Sequence, residues 1–226
     1  MKTYPAGDLT KEKIYDASKA VFYRDGYKKA KMKDVSAMAG IKQSVFYYHY
    51  KNKGELAKML YGDFGTAPSS AILSELIQHG FSDNGILAHC TCMALLMINS
   101  VETPNIGRFW AEMYTDNLTV DIPFHRHFFD LMYKKCFKEY TKNDFELFLV
   151  GRSSINCGYM LAYLDKKLDM TPEELAAYKI MDTLTALDYP REEARALTEQ
   201  VLTVAQQIPI RCGDNFHIYL DDHVVF

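Results

Sequence analysis

The chain has 226 residues, 48% of them apolar, and a formal net charge of −3. That length and apolar content allow one large domain, or a small domain beside a larger one, with a sizeable core. A uniformly basic nucleic-acid binder is excluded, but the charge is unevenly spread. Residues 1–65 carry 13 Lys and Arg against 7 Asp and Glu, whereas residues 66–226 carry 13 against 22. A basic head on an acidic body predicts an anionic partner for the head alone, which the body helps to orient.

The five cysteines, Cys90, Cys92, Cys136, Cys157 and Cys212, show no framework spacing. No apolar signal-peptide core stands near Met1. The longest apolar run, Cys90 to Val101, is bounded by His89 and Glu102 and falls short of a membrane span. These features predict a reduced, cytoplasmic protein with free thiols and no membrane partner.

In chain order, the first predicted helix covers about Thr10 to Arg24. Thr10 is its expected N-cap, Gly26 its end, and Ile14, Ala17, Ser18, Val21 and Phe22 its inward face. A second short helix, about Lys31 to Ala39, turns Val35, Met38 and Ala39 inward. Gly40 then supplies a tight turn. The third helix, about Lys42 to His49, buries Val45 and Phe46 and leaves Gln43, Ser44, Tyr47 and Tyr48 outward. Eight helical residues span about 12 Å, close to the roughly 12 Å width of the DNA major groove. A fourth helix starts near Lys53 with Leu56 and Leu60 inward. Gly62, Gly65 and Pro68 predict a break, with a domain boundary near residue 65.

Later helices are expected at about 69–79, 83–102, 105–115, 122–141, 143–168, 171–187 and 190–208. Thr171, Pro172 and Glu174 form a helix-start signal, and Pro190 marks another. Phe216, Ile218 and Leu220 alternate in the tail, as either a strand or a packed arm.

The third helix has the chemistry of a DNA reader. Gln pairs with adenine through two hydrogen bonds. Tyr reaches a phosphate with its hydroxyl or a thymine methyl with its ring. Lys33 is placed to reach a base edge or the backbone. Lys42 adds positive charge, while His49 and Lys53 are placed to neutralise phosphates. Free N–H groups at the start of the fourth helix attract another phosphate.

Residues 10–60 resemble the DNA-binding domain of the TetR family of bacterial transcriptional regulators. The resemblance is carried by the first helix ending in Gly26-Tyr27, by Val35-Ser36-Ala37-Met38-Ala39-Gly40-Ile41, by Phe46-Tyr47-Tyr48-His49-Tyr50, and by Lys51-Asn52-Lys53 with Leu56. It implies that Tyr47 and His49 touch phosphate, that Lys53 clamps phosphate, and that Gln43, Ser44 and Lys33 read bases. Phe46 and Tyr50 match core positions. The family commonly places Ser or Thr just before the second and third helices. Here Ala30 or Lys31, and Lys42, stand there, so a capping side chain worth about 0.5–2 kcal/mol is missing at each.

The segment 143–168 is apolar nearly all round, so a second copy of the chain is expected to cover one side. The resemblance implies a homodimer through two late helices. The second is 190–208, with the stripe Ala194, Leu197, Val201, Ala205 and Ile208, or else 171–187. A two-fold dimer calls for a near-palindromic operator. The body's Met and aromatic residues suit a pocket for a small organic ligand. Met93, Met97, Trp110, Met113, Tyr114, Phe128, Asn156 and Met160 are its candidate lining, and His89, Arg126, His127 or Asn156 its candidate polar anchors. His89 and Cys92 share a helix face at i, i+3 spacing while His125 and His127 do not, and with no second ligand pair of zinc-type spacing no metal and no cofactor are expected. No nucleophile elbow or phosphate loop points to an enzyme.

The predicted architecture is all-α, with a helix-turn-helix domain over 1–65 and a ligand-binding and dimerisation domain over 66–226. The expected function is a ligand-released repressor binding double-stranded DNA. A helical small-molecule carrier or enzyme with an incidental basic head is the alternative.

Overall fold

A computed structural model of the chain describes residues 5–81, 85–119 and 141–226, so the helix expected at 122–141 and the candidates Phe128, Arg126 and His127 lie outside it. Among the described residues nine α-helices precede a small three-stranded sheet. Helix α1 is Pro5–Lys29, so Thr10 lies inside it and not at its start. Ile14, Ala17, Ser18, Val21 and Phe22 are its buried face. Gly26, at φ 75° and ψ 175°, breaks the helical run. The positive φ there favours glycine, and a Cβ would stand 2.8 Å from the flexible Glu112 carboxylate, which would have to shift.

Helix α2 is Met32–Met38 and α3 is Gln43–His49. Between them Gly40 adopts φ 66°. Its N–H donates to the Ala37 carbonyl and the Ile41 N–H donates to the Ser36 carbonyl, closing a Schellman turn. Lys31 and Lys42 cap α2 and α3 without any side-chain hydrogen bond, as expected.

Helix α4 runs unbroken from Lys53 to Gln78, with Pro68 inside it. The predicted break at 62–68 does not occur. Leu56, Leu60, Phe64, Pro68, Ile72 and Leu76 recur every fourth residue and are all buried. Side-chain hydroxyls reinforce the turns around Pro68, with Thr66 Oγ1 donating to the Gly62 carbonyl and Ser69 Oγ to the Gly65 carbonyl. Burial of a continuous stripe outweighs the local penalty of the proline.

The body comprises α5 (Gly85–Glu102), α6 (Pro104–Thr115), α7 (Lys142–Leu164), α8 (Pro172–Ala186) and α9 (Arg191–Ala205). Helix α5 is long and apolar enough to cross a membrane, contrary to the sequence reading of this segment as too short, but here it packs against α4, α6, α8 and α9. Capping boxes start α7 at Thr141 and α8 at Thr171. Pro190 occupies the cap of α9 rather than its first turn. The tail forms β1 (Ile210–Cys212), β2 (Ile218–Leu220) and β3 (His223–Val224), paired antiparallel in that order. Between β1 and β2, Phe216 enters the core. Its ring lies 4.9 Å from Phe109, 5.6 Å from Trp110, 5.9 Å from Tyr23 and 6.2 Å from Phe64, joining α1, α4 and α6.

Candidate functional site

Helix α3 has seven residues, about 10 Å of helix, and is held by one face. Phe46 is fully buried, and the Tyr50 ring lies 5.8 Å from it. Both take the core roles expected of them. Tyr47 is 52% exposed and Tyr48 84% exposed. Gln43, Ser44 and Lys42 are exposed beside them, His49 is half-buried, and Lys33 is exposed on α2. Tyr47 rests its ring edge-on against Phe46, which fixes its direction. One short helix therefore presents hydroxyl, amide and cationic groups to solvent from a rigid apolar base.

Lys53 is half-buried, and its ammonium is engaged within the chain. Its Nζ donates to the carbonyls of Tyr27 at 2.8 Å, Lys28 at 3.0 Å and Ala30 at 3.4 Å, and lies 4.5 Å from the Tyr27 ring centroid. These are the orphan carbonyls and negative dipole end of α1. Burial lowers its pKa, with Asp116 and Glu112 pulling the other way. The start of α4 is likewise occupied. The Glu55 N–H donates to Asn52 Oδ1 at 2.9 Å and the Lys51 N–H to the Glu55 carboxylate at 2.7 Å. One of the helix-start N–H groups expected to attract phosphate, that of Glu55, is thus satisfied within the chain.

The same end of α1 is tied to the body. Arg108 Nη2 donates to the carbonyls of Tyr23 and Arg24 at 3.0 and 2.9 Å, and the Lys28 N–H donates to the Glu112 carboxylate at 2.7 Å. No sequence pattern marks these two α6 residues, because their partners lie about 84 positions away.

The body holds a cavity of about 630 Å³, counting its open mouth, and a neighbouring one of about 470 Å³. Of the predicted lining, Met93, Met97, Trp110, Tyr114 and Met160 border the first, and Asn156 borders the second. Met113 is fully buried core and lines neither. His89 also borders the first. Sequence reading missed Tyr61 and Lys179, which border both cavities. Lys179 sits on an ordinary amphipathic helix, so only its tertiary surroundings mark it. Tyr61 and Tyr114 hydroxyls stand 3.1 Å apart, and burial raises both pKa values. Trp110 Nε1 donates to Ser100 Oγ at 3.1 Å.

An exposed polar-aromatic helix, turned by Gly40 onto a second short helix, defines a helix-turn-helix DNA-binding protein. Residues 14–60 match the model of the bacterial regulatory proteins of the tetR family. Residues 14–60 of the chain therefore form a TetR-type DNA-binding domain. No curated protein matches it significantly. Its fold is similar to that of a gamma-butyrolactone receptor, an ArpA-like protein, at 15% identity and TM-score 0.42, covering 88% of this chain and 98% of that one. It is also similar to a Mesorhizobium loti protein described as a TetR-family transcriptional regulator, at 14% identity and TM-score 0.42, covering 90% and 96%. A third similar structure is the fatty acid degradation regulator FadR from Bacillus halodurans, at 12% identity and TM-score 0.31, covering 86% and 97%.

Proposed function

We propose that this chain is a homodimeric, ligand-responsive repressor whose small-molecule occupancy in the body lowers affinity for a near-palindromic operator. One observation carries the reading. Helix α4 begins beside the DNA-reading surface at Lys53, and its Tyr61, Gly62, Phe64 and Gly65 form the wall of the body cavity. A group that moves this wall moves the helix that follows α3 directly in the chain. Arg108 and Glu112 add a second link between body and head. A ligand that prefers one arrangement of these links shifts the population of heads able to dock.

In this reading residues 1–65 form the head and 66–226 the body, with α4 passing through the boundary. Gln43, Ser44 and Lys33 reach base edges, while Tyr47, Tyr48, His49 and Lys42 engage the backbone. Lys53 acts as a positioning residue that seats α4 on α1.

The dimer face is assigned to α7 and α8. Leu147 is 70% exposed, Val150 47% and Leu161 36%, and they share one stripe with exposed Ser154 and Gly158. Tyr178 on α8 is 63% exposed. The alternative stripe on α9 is consumed within the protomer, since Ala194, Leu197, Val201, Ala205 and Ile208 are all buried there. Leu147→Glu is expected to yield monomers in sedimentation.

The test of DNA reading is duplex selection from a random pool, then binding of the enriched sequence across salt concentrations. Affinity should fall log-linearly with salt, and the enriched site should contain two half-sites about one helical turn apart. No enrichment, or a flat salt response, would favour the carrier or enzyme alternative. In a reporter strain, deleting the chain should raise transcription from the selected site; a fall would make it an activator.

A further inference from the structure

We propose that the body cavity is built for an amphipathic monoanion, a carboxylate with an apolar tail, whose head is neutralised by Lys179. This deepens the ligand-responsive reading and rests on the same cavity.

Four residues border both cavities: Tyr61, Met93, Tyr114 and Lys179. The two spaces are therefore lobes that meet at the Lys179 side chain. The lobes differ in chemistry. One is walled by Phe64, Met93, Leu96, Met97, Trp110 and Met160, with few polar groups. The other offers Thr119, Ser153, Asn156 and Arg152.

Charge decides the ligand's sign. No Asp or Glu borders either lobe among the described residues. Arg152 is spoken for by its ion pair with Asp182. Thr119 and Ser153 hydroxyls are paired with each other at 2.9 Å. No hydrogen bond or ion pair engages the Lys179 ammonium among the described residues, and it stands between an apolar lobe and a neutral one. Burial lowers its pKa to about 8. A cation kept in such surroundings is costly unless an anion joins it. At the same junction Tyr61 and Tyr114 are held protonated by burial, so neither phenol supplies that anion.

Charge number decides the head group. With Arg152 balanced by Asp182, the single Lys179 ammonium balances one negative charge. A phosphate monoester carries about 1.5–2 charges near neutrality and would leave part of that uncompensated in a poorly solvated site. A carboxylate fits. The tail then lies along the Met and aromatic lobe, where Met side chains adapt to an irregular chain or ring.

The experiment uses the full chain and its single tryptophan, Trp110, which is part of the apolar wall and reports occupancy by its own emission. The probes are decanoate, 1-decanol and decyl phosphate, which share a tail and differ in head charge. Decanoate should change Trp110 emission saturably, with both other probes at least about tenfold weaker. Lys179→Met should weaken decanoate about tenfold or more and leave 1-decanol unchanged, erasing the preference. Lys179→Arg, which keeps the charge, should retain it. The proposal is overturned if 1-decanol matches decanoate on the natural chain, if decyl phosphate binds tightest, if Lys179→Met keeps the preference, or if no probe alters the emission. Operator affinity is measured separately. Decanoate that binds without changing operator affinity supports the anion site while removing the ligand-responsive reading.

Discussion

Replacing Lys53 by Met separates two roles for one side chain. The change keeps most of the apolar stem and removes the ammonium. In this structure that ammonium closes the end of α1, with two strong hydrogen bonds at 2.8 and 3.0 Å and a third, weaker one at 3.4 Å. Hydrogen bonds to a charged group contribute about 1.5–3 kcal/mol, and partial solvent access places this site at the low end, about 1.5–2 kcal/mol. For a chain of this size each kcal/mol moves Tm by about 2–4 °C, so a fall of about 3–8 °C is expected by calorimetry. The slope of log affinity against log salt for a selected duplex should not change, because no phosphate contact is lost. A phosphate-clamping lysine behaves in the opposite way. Its removal would lower the slope by about 0.9 and leave Tm almost untouched. A reduced slope with unchanged Tm would refute the positioning role.

Three further outcomes follow from the same geometry. Phe216→Ala should cost about 3–5 kcal/mol in denaturant unfolding, because its ring is enclosed by aromatics from three helices; a loss under about 1 kcal/mol would deny its place in the core. Lys179 should make stability pH-dependent. Its folded pKa of about 8 lies below the ordinary 10.5, so between these values the unfolded chain binds more protons and stability rises with pH. Relative to Lys179→Met, the natural chain should therefore gain about 2–3 kcal/mol between pH 7 and pH 10, and equal unfolding differences at the two pH values would count against this. Gln43→Ala should relax preference at one base position by about 1–3 kcal/mol in competition binding, with binding to other duplexes little changed.

The reading helix was legible because its signals are local. Gly40 needs its positive φ, Phe46 and Tyr50 recur at helical spacing, and the absence of a hydroxyl at Lys31 and Lys42 leaves both caps bare. The capping box at Thr171 is local in the same sense. Pro68 misled because its cost is local while its compensation is not: Phe64, Ile72 and Leu76 bury the helix on distant residues. Lys53 reads as a phosphate clamp from its neighbours in sequence, yet its partners are carbonyls 23 to 26 positions earlier. Five of the eight predicted cavity residues border the main lobe, since large flexible apolar side chains on body helices are a fair guide to an apolar wall. Met113 has the same character but faces the core, and one-dimensional spacing did not separate the two cases.

The tail sheet has a consequence for biosynthesis. Tyr23 hydrogen-bonds Asp214 at 2.8 Å across 191 positions, and Phe216 packs on the same stretch of α1. At about 5–20 residues per second, roughly 10–40 s separate the making of these partners on the ribosome. Through that interval the operator-reading segment exists without its last brace. A nascent chain paused before residue 214 should bind operator more weakly than the released one.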